Sequence, residues 1–109
     1  MADTGKLYEE WCNCTPKNAD FDDVRAVALH FLGQENVGKA SVGSHLLIID
    51  GPVTQLAAQC RDGGLRDVAW LQGNVLSVPK HKGKVKPVYV NQLLKLIAFK
   101  NQLPRGYLP

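Results

Sequence analysis

The fold is decided by residues 75–99, which read VLSVPKHKGKVKPVYVNQLLKLIAF. Alternating apolar residues over 75–78 predict a strand, and the basic residues after Pro79 predict a turn. Pro87 then favours a helix start, because its fixed φ suits the first helical position. The apolar residues behind it recur at helical spacing and form one continuous stripe, which consists of Val90, Leu93, Leu94, Ile97 and Ala98. This stretch therefore predicts a strand, a basic turn and a long amphipathic helix that ends before Pro104.

Two further helices are predicted on the N-terminal side. Residues 5–12 form a short leading helix that Thr15-Pro16 ends. Apolar residues at a spacing of about 3.6 predict a second helix over residues 20–32, with Asp20 as its N-cap and Gly33 as its C-cap.

Strands are predicted between these helices. Residues 37–42 and 44–49 read as two extended segments before a strong turn signal at Asp50-Gly51-Pro52. Residues 53–60 fit a helical face and are interpreted as an insertion at a hairpin end. Residues 68–71 and 75–78 flank a tight reversal in which Gly73 supplies a positive φ, so this region predicts a third strand and leaves a fourth open.

These elements predict a single α+β domain over residues 1–109. Their order is α-β-β-β-α with an insertion over residues 53–72, which gives two layers, an antiparallel three-stranded sheet and helices on one face. A hydrophobic content of 45% in 109 residues is enough for one core without disulfide support. No apolar stretch approaches the roughly 20 residues that span a bilayer, so we expect no membrane segment. No secretory signal pattern is visible, and the expected location is cytoplasmic.

The cysteines predict neither a disulfide framework nor a metal site. Their number is odd, and the spacing of Cys12-Asn13-Cys14 is too tight for the usual CxxC pair, so we interpret the thiols as reduced. Cys60 and His30 are conceivable further ligands, but no second two-ligand cluster has zinc-like spacing. We therefore expect no metal and no cofactor.

Charge is distributed unevenly along the chain. Residues 1–37 carry three basic and seven acidic side chains, whereas residues 38–109 carry ten basic and three acidic ones. Four lysines alternate within residues 80–86 with no acid among them, namely Lys80, Lys82, Lys84 and Lys86. Mutual repulsion in such a run is relieved by water or by a polyanion. The run is either a solvated surface or a nucleic-acid footprint.

Histidines are the candidates for proton transfer. His45 follows Gly43-Ser44 at the start of an apolar strand, where rigid backbone holds the imidazole and Gly43 permits close approach of a phosphate. His81 lies between lysines, which disfavour its protonated form. His30 lies within a predicted helix next to Phe31 and is interpreted as a boundary residue.

Taken in order, these motifs resemble the HicA (YcfA-like) mRNA interferase family of toxin-antitoxin toxins. The resemblance spans residues 17–100, with residues 1–16 as an N-terminal extension. It is carried by Gly43-Ser44-His45 opening a strand, Leu76-Ser77-Val78-Pro79, the basic run from His81 to Lys86, and the segment YVNQLLKLI at 89–97. The resemblance implies a fold like that of double-stranded-RNA-binding domains and the activity of an mRNA endoribonuclease. It also implies a HicB-like antitoxin as protein partner.

The resemblance implies a catalytic role for His45, and the chemistry of RNA cleavage predicts roles for the residues around it. His45 is the catalytic residue, acting as general acid or base without a metal. Gly43 and Ser44 bind the phosphate, as do the basic side chains Lys80, His81, Lys82, Lys84 and Lys86. An RNA substrate is expected because the chemistry requires the 2′-hydroxyl.

Two other functions remain open. The family often has basic or aromatic residues after the histidine, whereas Leu46 and Leu47 stand here, which favours a non-catalytic RNA-binding module of the same fold. Alternatively, Trp11, Trp70 and the insertion bind another protein.

Overall fold

The computed structural model describes residues 3–37 and 46–103. Its helices and strands, in chain order, are α1 (Thr4–Asn13), β1 (Ala19–Asp20), α2 (Phe21–Leu32), β2 (Leu46–Ile49), α3 (Pro52–Asp62), β3 (Leu76–Pro79), β4 (Lys84–Val85) and α4 (Pro87–Gln102). Short 3-10 turns occur at Gln34–Asn36 and Arg66–Val68. The predicted α+β class is confirmed, as are the four helices predicted from apolar periodicity.

Capping residues explain where two of these helices begin and end. The Asp3 carboxylate accepts hydrogen bonds from the backbone N–H groups of Gly5 and Lys6, which starts α1. Gly33 ends α2 with a positive φ of 83°, a backbone conformation that favours glycine. Asp20 occupies the N-cap position of α2 as predicted, but its side chain makes no capping hydrogen bond.

The strands form two separate antiparallel pairs among the described residues. In the first pair, β2 lies beside β3, with Leu46 opposite Pro79 at one end and Ile49 opposite Leu76 at the other. Val37 adds an isolated antiparallel bridge to Ile49, and the rest of the predicted strand over 37–42 lies outside the described residues.

The second pair, β1 with β4, was not predicted. Ala19 pairs with Val85 and Asp20 with Lys84. Each strand has only two residues, too few to show an alternating pattern. The predicted single three-stranded sheet is therefore found in part, and a second short pair joins the lysine run to the start of α2.

The predicted strand over 68–71 is wrong. This segment turns locally: the N–H of Ala69 donates to the carbonyl of Arg66, and that of Leu71 to the carbonyl of Val68. Val68 and Leu71 are nevertheless buried, so their apolar pattern reflects a turn packed on the core. Gly73 has the predicted positive φ, 66°, but it precedes β3 in a turn and does not connect two paired strands.

One hydrophobic core joins the helices to the β2–β3 pair. Its completely buried side chains include Leu32, Leu47, Ile49, Leu93, Leu96, Ile97, Val24, Val27, Val53, Val68, Val78 and Val85. Val53 and Val68 belong to the predicted insertion, which therefore contributes to the core. The N-terminal helix contributes as well, through Trp11. No helix in the described ranges is long and apolar enough to cross a membrane.

Candidate nucleic-acid interface

The lysine run forms a tight β-hairpin, which we call the lysine hairpin (residues 80–86). The N–H of His81 donates to the carbonyl of Lys84 at 2.8 Å, and the N–H of Lys84 donates back at 3.0 Å. The two residues between them, Lys82 and Gly83, have positive φ values of 52° and 77°. Positive φ at both central residues is the signature of a two-residue type I′ turn. The charges are therefore presented on an ordered turn.

Most side chains of the lysine hairpin are open to solvent. His81, Lys82, Lys84 and Lys86 are exposed, whereas Lys80 is half-buried. Lys86 is the residue immediately before α4. The structure thus keeps all five predicted RNA-binding side chains of this segment within one hairpin and its flanks.

Acidic residues at the start of α2 lie directly against the lysine hairpin. Lys84 donates a hydrogen bond to the Asp20 carboxylate and forms an ion pair with it. The Lys80 ammonium lies 4.7 Å from the centre of the Phe21 ring, within range of a cation–π interaction. A cleft of about 320 Å³ between the two segments is lined by Asp20, Phe21, Asp22, Asp23, Lys80 and Gly83.

This arrangement corrects one expectation from the sequence. Repulsion within the lysine run is relieved in part by Asp20, and not only by water or a polyanion. Asp20 and Lys84 are 64 residues apart in the chain, so local charge patterning gave no signal for their contact. A distinct hint was present in the concentration of acids at 20–23.

The predicted catalytic residue, His45, lies outside the described residues, as do Gly43 and Ser44. The first residue of β2 is Leu46, which follows His45 in the sequence and pairs with Pro79. Pro79 immediately precedes Lys80. The strand that follows the Gly-Ser-His triplet therefore begins beside the start of the lysine hairpin.

The sequence departs from the family pattern at Leu46 and Leu47, and the structure explains the second of these residues. Leu47 is completely buried, and so is Ile49 two residues later, whereas Ile48 between them is half-buried. This alternation is that of a strand with one face on the core. Leu47 is therefore a residue of the hydrophobic core.

The other side chains considered as metal ligands, those of His30 and the cysteines, do not form a metal-binding cluster in the described part of the chain. His30 is exposed on α2, with its ring 4.8 Å from that of Phe31 in an edge-on arrangement. Cys12 and Cys14 are exposed and Cys60 is half-buried. Within residues 3–37 and 46–103, no three His, Cys, Asp or Glu side chains are grouped so that they could hold a metal ion.

Comparison with known proteins identifies no relative of this chain. No protein-family model, curated protein or solved structure matches the chain. The interpretation of the site thus depends on the residues themselves.

Proposed function

We propose that the protein is a metal-independent endoribonuclease, an mRNA interferase that binds RNA along the lysine hairpin and cleaves it with His45. The observation that carries this proposal is the pairing of Leu46 with Pro79. It brings the strand that follows the Gly43-Ser44-His45 triplet to the segment that holds the exposed lysines. A proton-transfer group and a phosphate-binding surface are both required for RNA cleavage.

The reaction needs two proton transfers. A base removes the proton of the 2′-hydroxyl, whose oxygen forms a bond to the adjacent phosphorus while the bond from phosphorus to the 5′-oxygen breaks. An acid protonates that leaving oxygen, and the product ends in a 2′,3′-cyclic phosphate. We assign one transfer to His45 and the other to His81, since imidazoles titrate near neutral pH. The ammonium groups of Lys80, Lys82 and Lys86 stabilise the charge that develops on the phosphate oxygens.

The test uses a labelled single-stranded RNA incubated with EDTA and with wild-type or His45→Ala protein. We expect the substitution to slow cleavage by roughly a hundredfold or more, the usual effect of losing a general acid or base, while RNA binding persists. His30→Ala is the matched control, because it removes an exposed imidazole on α2 and leaves the lysine hairpin unchanged. DNA of the same sequence should bind and stay intact, since it lacks the 2′-hydroxyl.

Each other result has a defined meaning. Equal cleavage by the wild type and by His45→Ala would remove His45 from the mechanism. Binding without cleavage by the wild type would select the non-catalytic RNA-binding module. Absence of both would overturn the two RNA functions and leave only the fold.

The proposed setting is a type II toxin-antitoxin pair that acts in the cytoplasm. A HicB-like antitoxin would keep the enzyme inactive by covering the lysine hairpin. Such a partner should compete with RNA for the protein, and Lys82→Glu should weaken both interactions.

A further inference from the structure

A second cleft, which we call the β3 groove, lies beside β3 and the first turns of α4. Its volume is about 440 Å³. Ser77 and Pro79 contribute from β3, Val88, Tyr89 and Gln92 from α4, and Trp70 from the connection before β3. These side chains have no part in the mechanism proposed above.

The β3 groove is continuous with the lysine hairpin at two places. Pro79, at the end of β3, lines the groove and is followed by Lys80. Val88 lines it from α4 and stands two residues after Lys86. Residues close in sequence to both ends of the basic segment thus line one cleft, and of the described residues that line this cleft none is charged.

The chemistry of the lining suits a flat, partly polar ring. Trp70 and Tyr89 are half-buried aromatic residues, and Val88 leaves 51% of its surface exposed at the groove. The indole N–H of Trp70 donates to the Asp67 carbonyl at 2.8 Å, which restrains the orientation of the ring. The Gln92 amide carries both a donor and an acceptor for the edge of a base.

We propose that the β3 groove binds an unpaired RNA nucleobase, which stacks on its aromatic lining while the neighbouring phosphates contact Lys80 and Lys86. Neutral aromatic clefts bordered by cations are the usual platform for single-stranded nucleic acid. The inference rests on the proposed RNA-binding function, and it specifies single-stranded RNA as the substrate class.

The experiment compares two short 2′-O-methyl oligonucleotides, which resist cleavage through the 2′-oxygen. One carries all its bases, and the other is abasic at consecutive central positions with the same phosphates. Wild-type protein should bind the complete strand roughly tenfold more tightly, as expected for one stacked base. Trp70→Ala and Tyr89→Ala should reduce this preference, and Trp70→Phe should keep it because the aromatic face remains.

Two further readouts separate stacking from loss of structure. Trp70→Ala should leave the salt dependence of binding unchanged, whereas Lys80→Ala should lower its slope by about 0.7 for one lost phosphate contact. The complete strand should quench tryptophan emission of the wild type more than that of Trp70→Phe, since a stacked base contacts the indole directly.

The outcomes distinguish this inference from the function on which it rests. Wild-type protein that binds both strands equally, with a normal salt dependence, would overturn the nucleobase site and leave RNA binding intact. Wild-type protein that binds neither strand would overturn both. A preference for bases that survives Trp70→Ala and Tyr89→Ala would place the base elsewhere and overturn the assignment to this groove.

Discussion

Asp20 accepts a hydrogen bond from the Lys84 ammonium across the β1–β4 pair. The carboxylate at the start of α2 is therefore paired with one of the lysines of the lysine hairpin. The pair is half-exposed, with 49% of the Lys84 side chain and 58% of the Asp20 side chain accessible. An RNA phosphate that reaches Lys84 must compete with this carboxylate. If the lysine hairpin binds RNA as proposed, the acidic start of α2 should therefore limit the affinity.

Asp20→Asn should accordingly raise the affinity for single-stranded RNA several-fold at low salt. One more lysine becomes available to phosphate, so the slope of affinity against salt should steepen by about 0.7. Stability should fall by no more than about 1 kcal/mol, the usual contribution of an exposed ion pair. Glu9→Gln, which removes an exposed charge on α1, is the control. Equal effects of the two substitutions would mean that only net charge matters.

The turn of the lysine hairpin provides a test that leaves every charge in place. Gly83 has φ of 77°, and a Cβ added there would meet no atom within 4 Å. Gly83→Ala should therefore cost only backbone strain, about 1–2 kcal/mol of unfolding free energy. Gly83→Asn should cost less, since asparagine tolerates this conformation. If the geometry of the turn matters for binding, the affinity for RNA should be highest for the wild type, lower for Gly83→Asn and lowest for Gly83→Ala. Titration of each protein with RNA measures this order. Unchanged affinity in Gly83→Ala would show that the lysines act only as a flexible cationic segment.

The environment of Tyr8 predicts how the free energy of unfolding changes at alkaline pH. Its ring lies 4.7 Å from that of Phe31, and burial, followed by the influence of the nearby Cys12 thiol, raises the pKa of the Tyr8 phenol above its ordinary value of 10.0. A raised pKa means that the folded state prefers the protonated phenol. The associated stability is complete below pH 10.0 and is lost as pH rises through the folded-state pKa. Chemical denaturation across this range should show a shallower decline for Tyr8→Phe. Parallel curves for the two proteins would contradict this.

The helices that local periodicity encodes were predicted from the sequence, whereas contacts between residues far apart in the chain were missed. The stripe from Val90 to Ala98 and the cap at Gly33 are repeated or local signals, and both α4 and α2 were found where predicted. The segment 68–71 was misjudged because a buried turn and a buried strand share an apolar pattern. The contact of Asp20 with Lys84 depends on a pair of two-residue strands, and the β3 groove forms only when Trp70 and α4 pack around β3. Neither is encoded in the spacing of residues along the chain, and the acids at 20–23 were the one hint of the first.

Asn36 is a buried polar residue that joins two helices. Its amide donates to the Leu32 carbonyl at 2.6 Å and accepts from the Val53 N–H at 2.9 Å, which joins the end of α2 to the start of α3. Asn36→Ala should reduce the free energy of unfolding by about 2–4 kcal/mol, because two buried backbone groups lose their partners. Thr15→Ala, which removes an exposed hydrogen bond to Asn91, should cost much less. Denaturant unfolding measures both, and similar losses would show that the Asn36 bonds are replaced by water.

Arg61 fixes the segment that leads into the β3 groove. One guanidinium nitrogen donates to the carbonyls of Leu71 and Gly73, each at 2.6 Å, and only 22% of the side chain is exposed. Arg61→Ala should reduce stability by about 1.5–3 kcal/mol, the range for hydrogen bonds to a charged group, and should speed amide exchange after Leu71. Because Trp70 stands next to this segment, the variant should also lose part of its preference for a complete RNA strand over an abasic one. Arg61→Lys, whose single ammonium lacks the planar fork, should be intermediate in both measurements. Faster exchange with an unchanged preference for bases would show that the groove does not depend on how Arg61 holds this connection.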